Sequence, residues 1–109
     1  MTNIEVQQQL EKMVRSIVES FHPEKIILFG SHARNAGTPE SDVDLLIVMP
    51  FHGSRRKVAI AIDVKLGERS LPLDVLVVTP EEMERERGRV GTILPRALKE
   101  GRVLYDRAA

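Results

Sequence analysis

Ser41-Asp42-Val43-Asp44-Leu45-Leu46-Ile47-Val48-Met49 opens on two carboxylates and runs on as an unbroken apolar stretch. Side chains alternate across a strand, so Asp42 and Asp44 share one face, while Val43, Leu45, Ile47 and Met49 share the other and belong to a core. Two like charges side by side at the mouth of an apolar strand repel and raise each other's pKa. A divalent cation relieves that repulsion, and Mg²⁺ takes carboxylate oxygens together with substrate phosphates and retained waters. Read alone, the pair is equally a set of solvated strand-end acids.

On the N-terminal side, Lys25-Ile26-Ile27-Leu28-Phe29 is short and almost wholly apolar, which suits a buried central strand. Gly30-Ser31 come next, before a polar stretch to Ser41. A short helix beginning there would present backbone N–H groups and positive dipole to an anion. Gly30 would let the backbone approach a phosphate closely, and Ser31 would add a hydroxyl donor. An isolated Gly-Ser pair is an ordinary capped turn; it gains meaning only together with the acids further along the chain. On the C-terminal side, Leu73-Asp74-Val75-Leu76-Val77-Val78 is a third strand with a lone acid near its beginning. If this strand neighbours the second, Asp74 stands beside Asp42 and Asp44. Three carboxylates can hold two metals, or one metal plus a base, and two-metal sites clamp the attacking and leaving oxygens of an in-line displacement.

The remaining segments fill in around these strands. Residues 3–21 have apolar positions at spacings of three and four, from Ile4 and Leu10 to Ile17 and Phe21, and predict an amphipathic helix. Thr2 and Glu5 have capping-box spacing at its start, and Pro23 stops it. Residues 55–66 alternate as a strand would, but Val58, Ala61, Ile62 and Leu66 also form a helical stripe; the alanines, the length and Gly67 favour helix. Thr79-Pro80-Glu81-Glu82 is a helix start, a further helical stretch is expected over about 92–100, and Gly101 to Tyr105 suits an edge strand. The pattern predicts an α/β (α+β) fold: a small mixed sheet of three or four strands packed by helices.

The 109 residues allow one domain with one core, taken as 1–109. A hydrophobic fraction of 42% and a charged fraction of 29% are those of an ordinary globular chain. The formal net charge is zero, which removes any overall field for DNA or RNA; a polyphosphate must bind locally. Four aromatic residues, Phe21, Phe29, Phe51 and Tyr105, are too few for a base-stacking platform. No cysteine is present, which excludes disulfides and thiolate metal sites and suits a reducing cytoplasm. No apolar run approaches the ~20 residues that span a bilayer, and the N-terminus lacks the pattern of a signal peptide.

In sequence order, Gly30-Ser31-His32-Ala33-Arg34, Ser41-Asp42-Val43-Asp44-Leu45 and Asp74 resemble the signature of the polymerase-β-like nucleotidyltransferase superfamily, in particular its free-standing minimal nucleotidyltransferases. The resemblance covers nearly the whole chain, and the combined motif is specific. It implies the polymerase-β-like fold and ATP as substrate. It also implies transfer of a nucleoside monophosphate to an acceptor hydroxyl, with Mg²⁺, in two ions, as cofactor. Gly30 and Ser31 would hold the triphosphate, and Asp42 and Asp44 would ligate metal. Asp74 would complete the metal site and help deprotonate the acceptor. Arg34 would contact phosphate or pair with Asp42 or Glu40. Asn35 replaces a glycine common in the family, a turn position that Asn tolerates. His32 falls at a variable position and reads as an exposed loop residue rather than a ligand.

Larger members carry extra domains for base and acceptor; here 35 residues lie beyond Asp74, so part of the working site is expected from a homodimer or a hetero-oligomeric partner. Minimal nucleotidyltransferases are commonly paired with helical HEPN toxins and act as antitoxins by adenylylating a toxin tyrosine. The resemblance therefore implies such a toxin-antitoxin role. Two other readings stay open: a nucleotide-binding or steric antitoxin subunit without turnover, and a two-component transferase acting on a small molecule such as an aminoglycoside. Of the other residues, Arg55-Arg56-Lys57 open a helix at the end where positive charge is unfavourable. That suggests a triphosphate tail or an acidic group as partner, against the plainer reading of a solvated basic face. Glu81 to Arg89 read as a solvent-exposed face. Tyr105 reads as a packing residue with a hydroxyl available for self-modification.

Overall fold

The helices over residues 3–21, 55–66 and 80–86 each begin at a side-chain cap. In the computed structural model, which describes residues 2–34, 41–68, 71–86 and 100–108, helix α1 spans Asn3–Phe21. The Thr2 hydroxyl accepts from the Glu5 amide at 3.1 Å and the Glu5 carboxylate accepts from the Thr2 amide at 3.3 Å. Two otherwise unsatisfied N–H groups are thus paired. The helix ends at His22, whose left-handed backbone (φ 51°) lets its N–H close on the Val18 carbonyl; Pro23 comes next and cannot extend it. Helix α2, Arg55–Leu66, starts under the Ser54 hydroxyl, which accepts from the Lys57 amide at 3.2 Å. Residues 55–66 are thus helical, as the alanines and Gly67 predict. The inner stripe is Val58, Ala59, Ile62 and Leu66, whereas Ala61 is exposed.

Strands β1 (Lys25–Phe29), β2 (Val43–Val48), β3 (Leu73–Val78) and β4 (Arg102–Asp106) form one sheet in the order β3-β2-β1-β4. β1 runs antiparallel to β2 and β4, and β2 runs parallel to β3. A parallel pair needs a crossover, and α2 supplies it. Helix α3, Pro80–Glu86, comes directly after β3. The helix expected over 92–100 lies, apart from Glu100, outside the described residues. Among the described residues no helix is long and apolar enough to cross a membrane.

The core has two sides. On one, Ile26, Leu28, Val43, Leu45, Ile47 and Val77 pack beneath Leu10 and Ile17 of α1 and Ile62 of α2. Tyr105 packs against this cluster, as its sequence position suggests. On the other, Ile27, Leu46, Val48 and Val78 pack with Met83 of α3. β2 is therefore buried on both faces beyond Asp44, and the acid-bearing face is a second core rather than a polar surface.

The start of α2 is fastened to the start of α3. Arg55 Nη1 donates to the Val77 carbonyl at 2.8 Å, and the guanidinium donates to both Glu82 carboxylate oxygens, at 3.1 and 2.5 Å. Such two-pronged, charge-assisted pairing is stronger than a neutral hydrogen bond. The Phe51 ring lies 5.6 Å beneath the guanidinium, within cation–π range. Glu82 also accepts from the Thr79 amide at 2.9 Å while the Thr79 hydroxyl accepts from the Glu82 amide at 3.1 Å. Arg55 thus finds its acidic partner inside the chain, and Glu82 is a brace rather than part of a solvated face.

The Arg55 hydrogen bonds, helped by the Thr79 amide, bring the Glu82 carboxyl down from 4.5 to about 2. A depressed carboxyl contributes stability that is complete above its unfolded value and fades as pH falls through the folded one. Glu82→Gln should lower unfolding stability near neutral pH by about 1 kcal/mol, a figure held down by solvent access to the pair. Urea denaturation should show wild type and variant converging as pH falls from 4.5 toward 2.

Candidate active site

Chain direction gathers the functional residues at one pole of the sheet. β1 ends where antiparallel β2 begins, with Phe29 opposite Asp44. β2 and β3 start together because they are parallel, with Asp44 opposite Asp74. Residues in register on neighbouring strands face the same side. Asp44 and Asp74 are therefore adjacent on the face that carries Leu46 and Val48. Asp42 immediately precedes β2 and is exposed, as is Asp74, whereas Asp44 is half-buried.

Gly30 completes this pole. Its φ is +75°, and a Cβ built on it would collide with the Asp44 carboxylate oxygen and lie 3.2 Å from Cγ. The positive φ favours glycine, and any side chain there would have to displace the Asp44 carboxylate. The backbone of the β1 exit therefore lies against Asp44. After it comes a turn held by Ala33 N–H to Gly30 O at 3.2 Å and Arg34 N–H to Ser31 O at 3.1 Å. Sequence reading expects a short helix here; the described residues show a hydrogen-bonded turn. Ser31 is half-buried within it. Asn35 and Glu40 fall outside the described residues.

Burial pushes the Asp44 carboxyl above the ordinary aspartate value, and the charges of Asp74 and then Asp42 push it the same way; His32 opposes them. Asp44 thus feels both neighbouring acids, and a nearby cation would relieve that repulsion. Among the described residues no group of three His, Asp or Glu side chains is arranged to hold an ion without help. Mg²⁺ bound with a phosphate substrate generally takes one or two carboxylates together with phosphate oxygens rather than a closed protein cage. Asp42, Asp44 and Asp74 are the carboxylates at this pole that would hold such an ion, and the Gly30 backbone lies close against the Asp44 carboxylate.

Arg34 takes a partner that its sequence position does not suggest. Its Nη1 lies 3.6 Å from a Glu100 carboxylate oxygen, with both side chains largely exposed. His32, expected to be an exposed loop residue, is buried at 9% exposure, and its Nε2 lies 3.1 Å from the Ser41 carbonyl oxygen. A single polar residue in a loop carries no periodicity from which burial can be read.

The sheet order, the parallel β2/β3 pair and the acids at one pole define a small α/β domain with carboxylates gathered at its strand ends. Residues 9–104 match the model of the nucleotidyltransferase domain family, and the chain belongs to that family. Its fold is similar to a solved structure from Sulfolobus solfataricus that is provisionally described as a nucleotidyltransferase. The TM-score is 0.66, with 20% identity, over 96% of this chain and 84% of that one. No curated protein matches the chain in sequence.

Two outcomes are expected of this geometry. Gly30→Ala should destabilise the fold by about 2 kcal/mol, from the strained φ and the collision with Asp44, read as a lowered urea midpoint. Asp44 has a raised carboxyl, so its ionisation opposes folding above the folded value and not below the ordinary 3.8. Asp44→Asn should therefore raise the melting temperature near neutral pH in EDTA, with the gain vanishing in acid. Added Mg²⁺ should stabilise wild type and leave the variant unchanged.

Proposed function

We propose that this nucleotidyltransferase domain moves AMP from ATP to an acceptor hydroxyl with the help of Mg²⁺, and that the acceptor is a tyrosine of a helical HEPN-type toxin. The chain would then act as its antitoxin. The observation that carries the transfer chemistry is the meeting of three acids and a glycine at one pole: Asp44 lies against the Gly30 backbone and in register with Asp74. The acceptor and the toxin-antitoxin role rest on the resemblance to minimal nucleotidyltransferases.

In this reading the Gly30-Ser31 turn receives the triphosphate, with Ser31 donating to a phosphate oxygen and Arg34 free to turn toward the tail from its solvent-exposed pair. Asp42 and Asp44 hold the metal side, and Asp74 completes it and takes the proton of the acceptor hydroxyl. The acceptor oxygen attacks the α-phosphorus, the bond to the bridging oxygen breaks, and pyrophosphate leaves. Two bound Mg²⁺ ions would neutralise the phosphate charge and align the displacement. The chain's own contribution is positioning, since phosphoryl transfer requires little covalent chemistry from the protein.

The test mixes the purified chain with Mg²⁺, α-labelled ATP and the protein encoded beside it, and follows intact mass. The expected result is a gain of AMP on the neighbouring protein, reduced at least about a hundredfold by Asp42→Asn or Asp44→Asn, the scale on which lost electrostatic stabilisation is felt. Neutralisation of the partner that survives both substitutions would establish a steric antitoxin instead. Label on an added aminoglycoside and none on protein would establish a small-molecule transferase.

A further inference from the structure

The Gly30-Ser31 turn and the Asp42-Asp44 strand lie on separate stretches of chain, and the proposed reaction needs them at a constant separation. His32 stands between them. It is one residue beyond Ser31, buried at 9% exposure, the sole buried polar residue among those described. Its Nε2 is 3.1 Å from the carbonyl oxygen of Ser41, the residue that precedes Asp42. A carbonyl oxygen only accepts, so Nε2 carries the proton and donates. The neighbouring Ala33 is buried as well, and packs with the core cluster that holds Val43. The turn is therefore seated on the core through Ala33 and tied across to the acid strand through His32.

We propose that His32 is a positioning residue, whose Nε2–H to Ser41 carbonyl bond sets the distance between the triphosphate-binding turn and the metal-binding acids. The proposal rests on the nucleotidyltransferase reading of the site. His32 touches no reacting atom in this role. It acts through the main chain on Ser31 on one side and Asp42 on the other. The bond is part-buried, and a hydrogen bond shielded from water costs free energy to leave half-made. Misplacement of catalytic groups by about 1 Å costs on the order of a hundredfold in rate, so the bond matters more to turnover than to folding.

The experiment compares wild type, His32→Leu, His32→Gln and His32→Asn. A glutamine amide nitrogen can reach the place of Nε2, whereas that of asparagine falls short, nearer Nδ1. Affinity for a non-hydrolysable ATP analogue with Mg²⁺ is measured by calorimetry, turnover by label transfer, folding by thermal melting, and the His32 tautomer by ¹⁵N NMR. The expected result is an Nε2–H tautomer in wild type. His32→Leu and His32→Asn should lose about ten- to hundredfold in turnover, with a smaller change in analogue affinity and a cooperative melt retained. His32→Gln should recover most of the loss. An Nδ1–H tautomer, or a His32→Leu variant with wild-type turnover, overturns the role of His32 while leaving the nucleotidyltransferase reading intact. Failure of wild type itself to bind the analogue with Mg²⁺ overturns both. Equal loss in the leucine and glutamine variants, with turnover falling only as far as the melt does, reduces His32 to a packing residue.

Discussion

The carboxylate of Asp44 lies against the backbone of Gly30 with no room for a side chain between them, and the arrangement of the pole depends on that contact. The contact exists because β1 and β2 are antiparallel, so the exit of one strand meets the entrance of the next. Asp74 joins it because β2 and β3 are parallel and start level, with Asp44 opposite Asp74. One antiparallel and one parallel pairing thus bring the Gly30 backbone and the acids to the same end of the sheet. Neither pairing alone would do so.

The opposite end of the same sheet face is closed. Met83 of α3 covers Val48 and Val78, and the Arg55–Glu82 pair fastens the start of α3 to the start of α2. The face is therefore divided into an apolar half that stabilises the fold and an acidic half at the strand starts. Half-burial of Asp44 is the consequence at the boundary: its carboxyl is raised by desolvation and by its acidic neighbours. Ionised Asp44 is therefore electrostatically disfavoured where it stands, in contrast to the Arg55–Glu82 pair, whose charges favour each other.

Two groups that look like surface features in the sequence are internal connections. Arg55 sits where a helix dipole disfavours it, and the compensation is Glu82, 27 residues along the chain. His32 sits in a polar loop, and its partner is the Ser41 carbonyl nine residues on. In both cases the partner lies on a different element, so no local spacing relates the two residues.

Much of the fold is local in origin and is readable directly. The Thr2–Glu5 and Thr79–Glu82 caps, the apolar spacing of α1, and the strands over 25–29, 43–48 and 73–78 all depend on neighbours within a few residues. The helix over 55–66 is local too, although its alternating pattern argues for a strand; Ala59 and Ala61 and the Gly67 stop outweigh it. The order of Gly30-Ser31, Asp42, Asp44 and Asp74 along the chain is legible as well, since a resemblance to a family signature rests on residue types and their order rather than on contacts. Tertiary structure decided what depends on packing between distant segments: that β3 lies beside β2 in register, that the acid-bearing face becomes a second core under α3, that Arg55 pairs inward, and that His32 is buried. Burial and pairing of a lone polar residue are properties of the surface brought against it, and a linear sequence names that surface only after the strands have been placed.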